Sequence, residues 1–203
     1  MNVKQGRAKP LSRQDRQRAI LAAVIPLLIE KGSAVTTAEM AEAAGIAEGT
    51  IFRAFPDKAA LIHEAVKATM DPDPIRKALA EIPDDSPIEV QLAAAARVLA
   101  ERFDRMTALI GILRSVPHSI DKPPAEARRV AADAMTAISA ALAVIFERHR
   151  DRLLIEPGRA AAALRGLIFT NSHPMFAPEE KLSVDEIVAI LLSGVIAPAP
   201  RES

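Results

Sequence analysis

The sequence predicts an all-α protein. Three observations carry this. Alanine and leucine dominate the 203 residues, and no run alternates apolar and polar residues with a period of two. Glycine and proline fall at intervals that suit helices rather than strands. Half of the chain is hydrophobic, which is ample material for a helical core.

Residues 1–18 carry Lys4, Arg7, Lys9, Arg13, Arg16 and Arg18 against Asp15 alone; six cations and one carboxylate leave +5, so the remainder of a formally neutral chain sums to −5. A basic arm on an otherwise acidic protein points to a polyanion contact at that end, the alternative being a solvated tail. Ser12 caps a helix from Arg13 with Asp15 in its first turn, and Gly32 ends it. Ile20, Val24, Leu27 and Leu28 form its apolar face. Pro26 lies inside it and predicts a kink. The apolar run at 19–29 is too short to span a bilayer, and no cleavage site follows it, so a buried helix is expected rather than a leader. Nothing else in the chain reads as a transmembrane segment.

Thr36-x-x-Glu39 is a capping box for a second helix starting near Thr37. Met40, Ala41 and Ala44 face inward, and Gly45 breaks the helix where positive φ is needed. A third short helix covers about 47–55, with Ile51 and Phe55 in the core. Asp57 caps a fourth, whose apolar side is Leu61, Ile62, Ala65 and Val66. The "DPDP" at 71–74 is the clearest punctuation in the chain, and the domain boundary is placed there, giving domains of 1–70 and 71–203. Beyond it the expected helices are about 74–81, 87–115, 124–151, 157–172 and 183–196. The stripe of the first long helix reads Val90, Ala94, Val98, Leu99, Phe103, Met106, Ile110 and Leu113. That of the second reads Val130, Ala134, Ile138, Leu142 and Ile145.

Two short helices joined by a glycine turn form a helix-turn-helix, whose second member is short because a major groove admits one helix offering its N-terminal residues to base edges. The string "RAILAAVIPLLIEKGSAVTTAEMAEAAGIAEGTIFRAFPDKAALIHEAV" resembles the DNA-binding domain of the tetracycline-repressor (TetR) family of bacterial regulators. Gly32, Thr36, Thr37, Ala41, Ala44, Gly45, Ile46, Gly49, Thr50, Ile51, Phe52, Phe55, Lys58 and Leu61 match the family pattern. The resemblance covers about a quarter of the chain; the rest is similar in helix layout alone.

The resemblance implies an N-terminal three-helix DNA-binding domain and a C-terminal helical ligand-binding and dimerisation domain. The DNA-contacting positions it implies are Thr36, Thr37, Glu48, Gly49, Thr50, Phe52, Arg53 and Lys58. Thr37 and Lys58 would touch phosphates, with Thr36 the better cap and Thr37 the freer hydroxyl. Gly49 would let the backbone approach DNA, Thr50 would meet a thymine methyl or base edge, and Arg53 a guanine or phosphate. Glu48 would accept from cytosine or complement the helix dipole. Two departures stand out. Phe52 lacks the hydroxyl of the family's frequent tyrosine, and Ala54 lacks its frequent polar ring. The basic arm would compensate through flanking backbone or the minor groove.

For the C-terminal domain the resemblance implies a dimer interface of Ala160, Ala161, Leu164, Leu167, Ile168, Ile187, Val188, Leu191, Leu192 and Val195, the alternative being intrachain core. It also implies a pocket for an unidentified, mainly apolar small molecule. Candidates are Met106, Ile110, Leu113, His118, Met135, Ile138, Ser139, Leu142, Phe169, Asn171 and His173, each with a packing role as the alternative. The expected function is a ligand-responsive regulator, a repressor by the family's commonest mode, binding a near-palindromic double-stranded operator as a homodimer in the cytoplasm.

Rival classes are weaker. No histidine has a glutamate three residues before it, so a dinuclear bundle site is not encoded. Cysteine is absent, the four histidines lack metal-ligand spacing, and no phosphate loop or nucleophile elbow occurs. No enzyme, metal or cofactor is therefore expected. A helical protein-interaction scaffold that has lost DNA binding remains the alternative.

Overall fold

The computed structural model describes residues 12–116, 125–173, 175–176 and 179–196. Helix α1 spans Arg13–Lys31, α2 Thr37–Ala43, α3 Glu48–Ala54, α4 Lys58–Thr69, α5 Asp73–Ala80, α6 Ile88–Ser115, α7 Ala125–Glu147, α8 Pro157–Ser172 and α9 Val184–Val195. The only extended pairing among the described residues is an isolated bridge between Leu153 and Ile196. The fold is all-α. Lys4, Arg7, Lys9, His118 and the loop expected at 117–124 lie outside the described residues.

The chain divides into two compact units. Of the described residues, one holds those from Ser12 to Ala68 together with the end of α6 from Gly111; the other holds Thr69–Ile110 and the later helices. In the first unit the local signals act as chemistry requires. Ser12 Oγ accepts from the N–H of Asp15 at 3.1 Å. The N–H of Gly32 closes α1 on the Leu28 carbonyl, with φ at 67° and ψ at −148°, a backbone region open essentially only to glycine. α1 continues through Pro26; the residue whose carbonyl loses its partner, Ala22, is exposed and open to water. Ile20, Leu21, Val24 and Leu28 are its buried residues, while Leu27 is half-buried. They pack with Val35, Met40, Ala41, Ile51 and Phe55, all at most 7% exposed.

The second unit has one core, built from Ile75, Leu79, Ile88, Leu92, Leu99 and Phe103 with Ile138, Leu142, Ile145, Phe146, and the inward residues of α8 and α9. Two sequence expectations fail here. Val90 is 54% and Val130 46% exposed, so neither belongs to its helix's buried stripe. The register of α6 is set instead by Gln91, fully buried, whose amide donates to the carbonyls of Ser86 at 2.6 Å and Asp84 at 3.2 Å. With Gln91 turned inward, Ile88, Leu92, Ala95 and Ala96 follow, and Val90 turns out.

A third expectation needs amending. The stretch Arg128–Glu147 is long and apolar enough to cross a membrane by length and composition, contrary to the reading that no such segment exists. Its Ala134, Ile138, Leu142, Ile145 and Phe146 are spent on the core of the second unit.

Candidate nucleic-acid interface

The first unit assembles the predicted contact residues around three short segments. α2 begins with the capping box: Thr36 Oγ1 accepts from the N–H of Glu39 at 3.2 Å, and Glu39 Oε2 accepts from the N–H of Thr36 at 2.8 Å. Lys31 Nζ adds a 2.8 Å bond to Glu39 Oε1. These contacts, the Lys31 bond foremost, hold the Glu39 carboxyl at about 2, far below its ordinary 4.5.

α2 stops at Ala44, and Gly45, at φ 63°, turns the chain. The N–H of Ile46 then reaches back to the Ala41 carbonyl at 3.0 Å. Such a tight reversal lets α2 and α3 pack on each other and on α1. Gln17 Nε2 of α1 donates to the Ala54 carbonyl at 2.9 Å, fixing the far end of α3.

α3 therefore has two faces. Ile51, Ala54 and Phe55 are buried. Glu48, Gly49, Phe52 and Arg53 are exposed and Thr50 is half-buried. A Cβ built at Gly49 would meet nothing within 4 Å, so another backbone can approach that turn closely. Phe52 is 49% exposed, an aromatic ring in water on the same face as Arg53. Ala54 was expected to face DNA without a polar group. Instead it points into the core, so no groove contact is missing there.

Two predicted residues are engaged in ways that the sequence did not reveal. Thr37 Oγ1 donates to Glu48 Oε1 at 2.5 Å, linking the starts of α2 and α3. Its hydroxyl is thus not the freer one, and Thr36 and Thr37 both have carboxylate partners. Lys58, the first residue of α4, donates to the carbonyls of Ser33 at 2.6 Å and Val35 at 2.5 Å. An ammonium has three donors, so one remains for an outside acceptor. The spacing of these residues in sequence, 11 for the first pair and 23 and 25 for the second, is too long for any local motif to signal them.

In the second unit the predicted dimer residues are mostly core already. Ala160, Ala161, Leu164, Ile168, Ile187, Val188, Leu191 and Val195 are at most 6% exposed within a single chain; only Leu167 and Leu192 are half-buried. Side chains sealed inside one chain cannot form the surface met by another. The outward rows of the same helices carry Ala162, Gly166 and Thr170 on α8, and Ile190, Ser193 and Gly194 on α9, all exposed.

The predicted ligand residues are divided. Ile138 and Leu142 are fully buried; Met106, Met135 and Phe169 pack half-buried against the core, and Ile110 and Leu113 are half-buried. Ser139 Oγ donates back to the Met135 carbonyl at 2.9 Å. Asn171 accepts from the N–H of Leu182 at 2.9 Å and donates to its carbonyl at 3.0 Å. His173 Nδ1 accepts from the N–H of Met175 at 3.2 Å, and its ring lies 5.1 Å from those of both Phe169 and Phe176. Ser139, Asn171 and His173 thus have partners within the chain. Among the described residues no three His, Asp or Glu side chains are grouped to hold a metal.

Residues 20–65 match the family described as bacterial regulatory proteins, tetR family. Solved structures agree over most of the chain. A TetR transcriptional regulator from Streptomyces coelicolor shares 24% identity over 90% of this chain and 99% of its own, with a TM-score of 0.57. A TetR-family transcriptional regulator from Agrobacterium tumefaciens shares 19% over 92% and 100%, with a TM-score of 0.56. AibR, solved in complex with isovaleryl coenzyme A and operator DNA, shares 18% over 90% and 99%, with a TM-score of 0.50. At these identities the likeness is one of fold. Taken with the helix-turn-helix geometry, the match identifies residues 20–65 as a segment of the type found in the bacterial regulatory proteins of the tetR family.

Proposed function

We propose that the protein is a sequence-specific transcriptional regulator that inserts α3 into the major groove and acts as a homodimer on a near-palindromic operator. One observation carries the reading. α3 buries Ile51, Ala54 and Phe55 and turns Gly49, Thr50, Phe52 and Arg53 outward, the division of faces that groove insertion requires. Lys58 offers one free donor to a phosphate. Residues 1–70 are the DNA-binding domain in this reading, and 71–203 the ligand-binding and dimerisation domain.

So short a helix reads few base pairs, so two copies are needed for specificity. The outward rows of α8 and α9 are the surfaces proposed to meet, because small residues let helices pack closely. The second unit takes a small-molecule effector; in support, AibR, similar in fold, was solved in complex with isovaleryl coenzyme A and operator DNA. If the effector favours a conformation with weaker operator affinity, operator and effector weaken each other equally. Repression in the cytoplasm is the proposed mode.

A mobility-shift assay on DNA flanking the protein's own gene tests this. Arg53→Ala should abolish sequence-specific retention while leaving the circular dichroism spectrum and Tm unchanged. Retention equal to the parent chain, or no retention of any such DNA by the parent, would favour an interaction scaffold instead.

A further inference from the structure

Among the described residues of the second unit, Arg102 is the one cation that lies deep in the fold, 5% exposed on α6. A guanidinium presents five N–H donors in a planar fork. Nη1 of Arg102 donates to the Asp71 carbonyl at 2.9 Å. Nε is buried and, among the described residues, has no hydrogen-bond partner. The charged groups that act on it are few. The Asp71 carboxylate favours its charge, and Arg105, one turn along α6, opposes it. Asp71, however, accepts at 3.0 Å from the N–H of Asp73 through its own side chain. Burial lowers the Arg102 pKa more than Asp71 raises it. A buried guanidinium bonded to a neutral carbonyl is costly to hold, because the Asp71 charge offsets its desolvation only in part.

The same face of α6 carries Val98 and Met106, one turn to either side, both half-buried against the core. A cation on the same helix face as an aliphatic and a thioether side chain suits an oxyanion attached to an aliphatic body. We propose that Arg102 is the anion-binding residue of a ligand site in the second unit, receiving the carboxylate or phosphoryl oxygens of a small amphipathic molecule. An incoming oxyanion would compete with the neutral Asp71 carbonyl for the guanidinium. An oxyanion brings the opposite charge and can take two parallel N–H bonds from the guanidinium, where the carbonyl takes one, so it is the stronger partner for Arg102. The site deepens the effector reading given above and rests on it only for its regulatory consequence; anion binding itself needs no DNA.

The experiment uses the full chain without DNA. Melting is followed with octanoate, with octyl phosphate and with octanol as the neutral control, for the parent, Arg102→Met and Arg102→Lys. The anion of the fitting class should raise Tm by a few degrees in the parent and less in Arg102→Lys. Octanol should not raise it, and Arg102→Met should show no anion response while melting no lower than the parent. The Nε–Hε resonance of Arg102 in the parent supplies a readout that needs no variant: the fitting anion should shift it downfield. The idea is overturned if neither anion moves Tm or that resonance, if octanol does as well, or if the response survives in Arg102→Met. It is equally overturned if Arg102→Met melts lower and no anion shifts the parent, which would make Arg102 a latch on Asp71. Operator retention, measured separately, tells loss of the regulator reading from loss of this one.

Discussion

Glu48 places a carboxylate at the start of the helix proposed to enter DNA, and the Thr37 hydroxyl holds it there. A negative charge beside phosphates opposes binding, so Glu48→Ala should tighten operator binding by about fivefold, on the order of 1 kcal/mol for one surface charge. Titration by fluorescence anisotropy at fixed salt reads this directly. Weakened, less selective binding would mean that Glu48 reads a base instead. The turn residues give a second contrast. Gly32 and Gly45 both have positive φ, and a Cβ at either meets no atom within 4 Å, so only backbone strain opposes substitution. Gly45 is in the left-handed region, where alanine costs about 1–2 kcal/mol. Gly32, at ψ −148°, is in a region closed to other residues. Urea denaturation should therefore rank Gly32→Ala below Gly45→Ala in stability.

At the scale of the helix, the Thr36–Glu39 capping box is where the sequence spoke most plainly, and the structure adds a second box at the start of α9. Thr36 with Glu39, and Ser183 with Glu186, each place two partners three residues apart, so the bonds form within one turn whatever the rest of the chain does. The Glu39 carboxyl is depressed from 4.5 to about 2. A depressed carboxylate stabilises the fold above its unfolded pKa, and that stability is lost as pH falls through the folded one. Glu39→Gln should therefore lower Tm at pH 7 and flatten the decline in stability between about pH 4.5 and 2, as acid titrations of both proteins would show. α6 was less legible, for a physical reason. "IEVQLAAAA" is apolar nearly all round, so periodicity cannot choose a face. Gln91 chooses it through two backbone carbonyls that belong to the preceding loop. Arg102 escaped notice likewise: arginine is rarely buried, and nothing in the sequence marks the Asp71 carbonyl as its partner. The division of α3 into buried and outward residues was readable, save Ala54, because a short helix ending at a turn has few ways to seat its apolar side. The engagements of Thr37 and Lys58 were not, because each joins segments far apart in sequence.

For the whole molecule, the last two helices show how a pattern of small and aliphatic residues can be read in its composition and misread in its direction. The buried row of α9 serves the chain's own core, and the outward row is what remains for a second copy. The two rows make opposite predictions. Leu191, 4% exposed, should cost about 2–5 kcal/mol as alanine, seen as a lower Tm. Ile190, 52% exposed, should leave the fold intact as aspartate yet yield monomers in sedimentation at micromolar concentration, with loss of operator retention. A dimer that survives Ile190→Asp would move the contact elsewhere on the surface.

The double bond between Asn171 and the backbone of Leu182 has a practical corollary. One amide fastens the end of α8 to the approach of α9, so the placement of both helices does not depend on the length of chain strung between them. That span is a splice point: a foreign peptide or a fluorescent reporter inserted after Glu179 would hang outside the bundle like a pennant from a fixed pole. Mutating Asn171 to leucine would untie the pole itself.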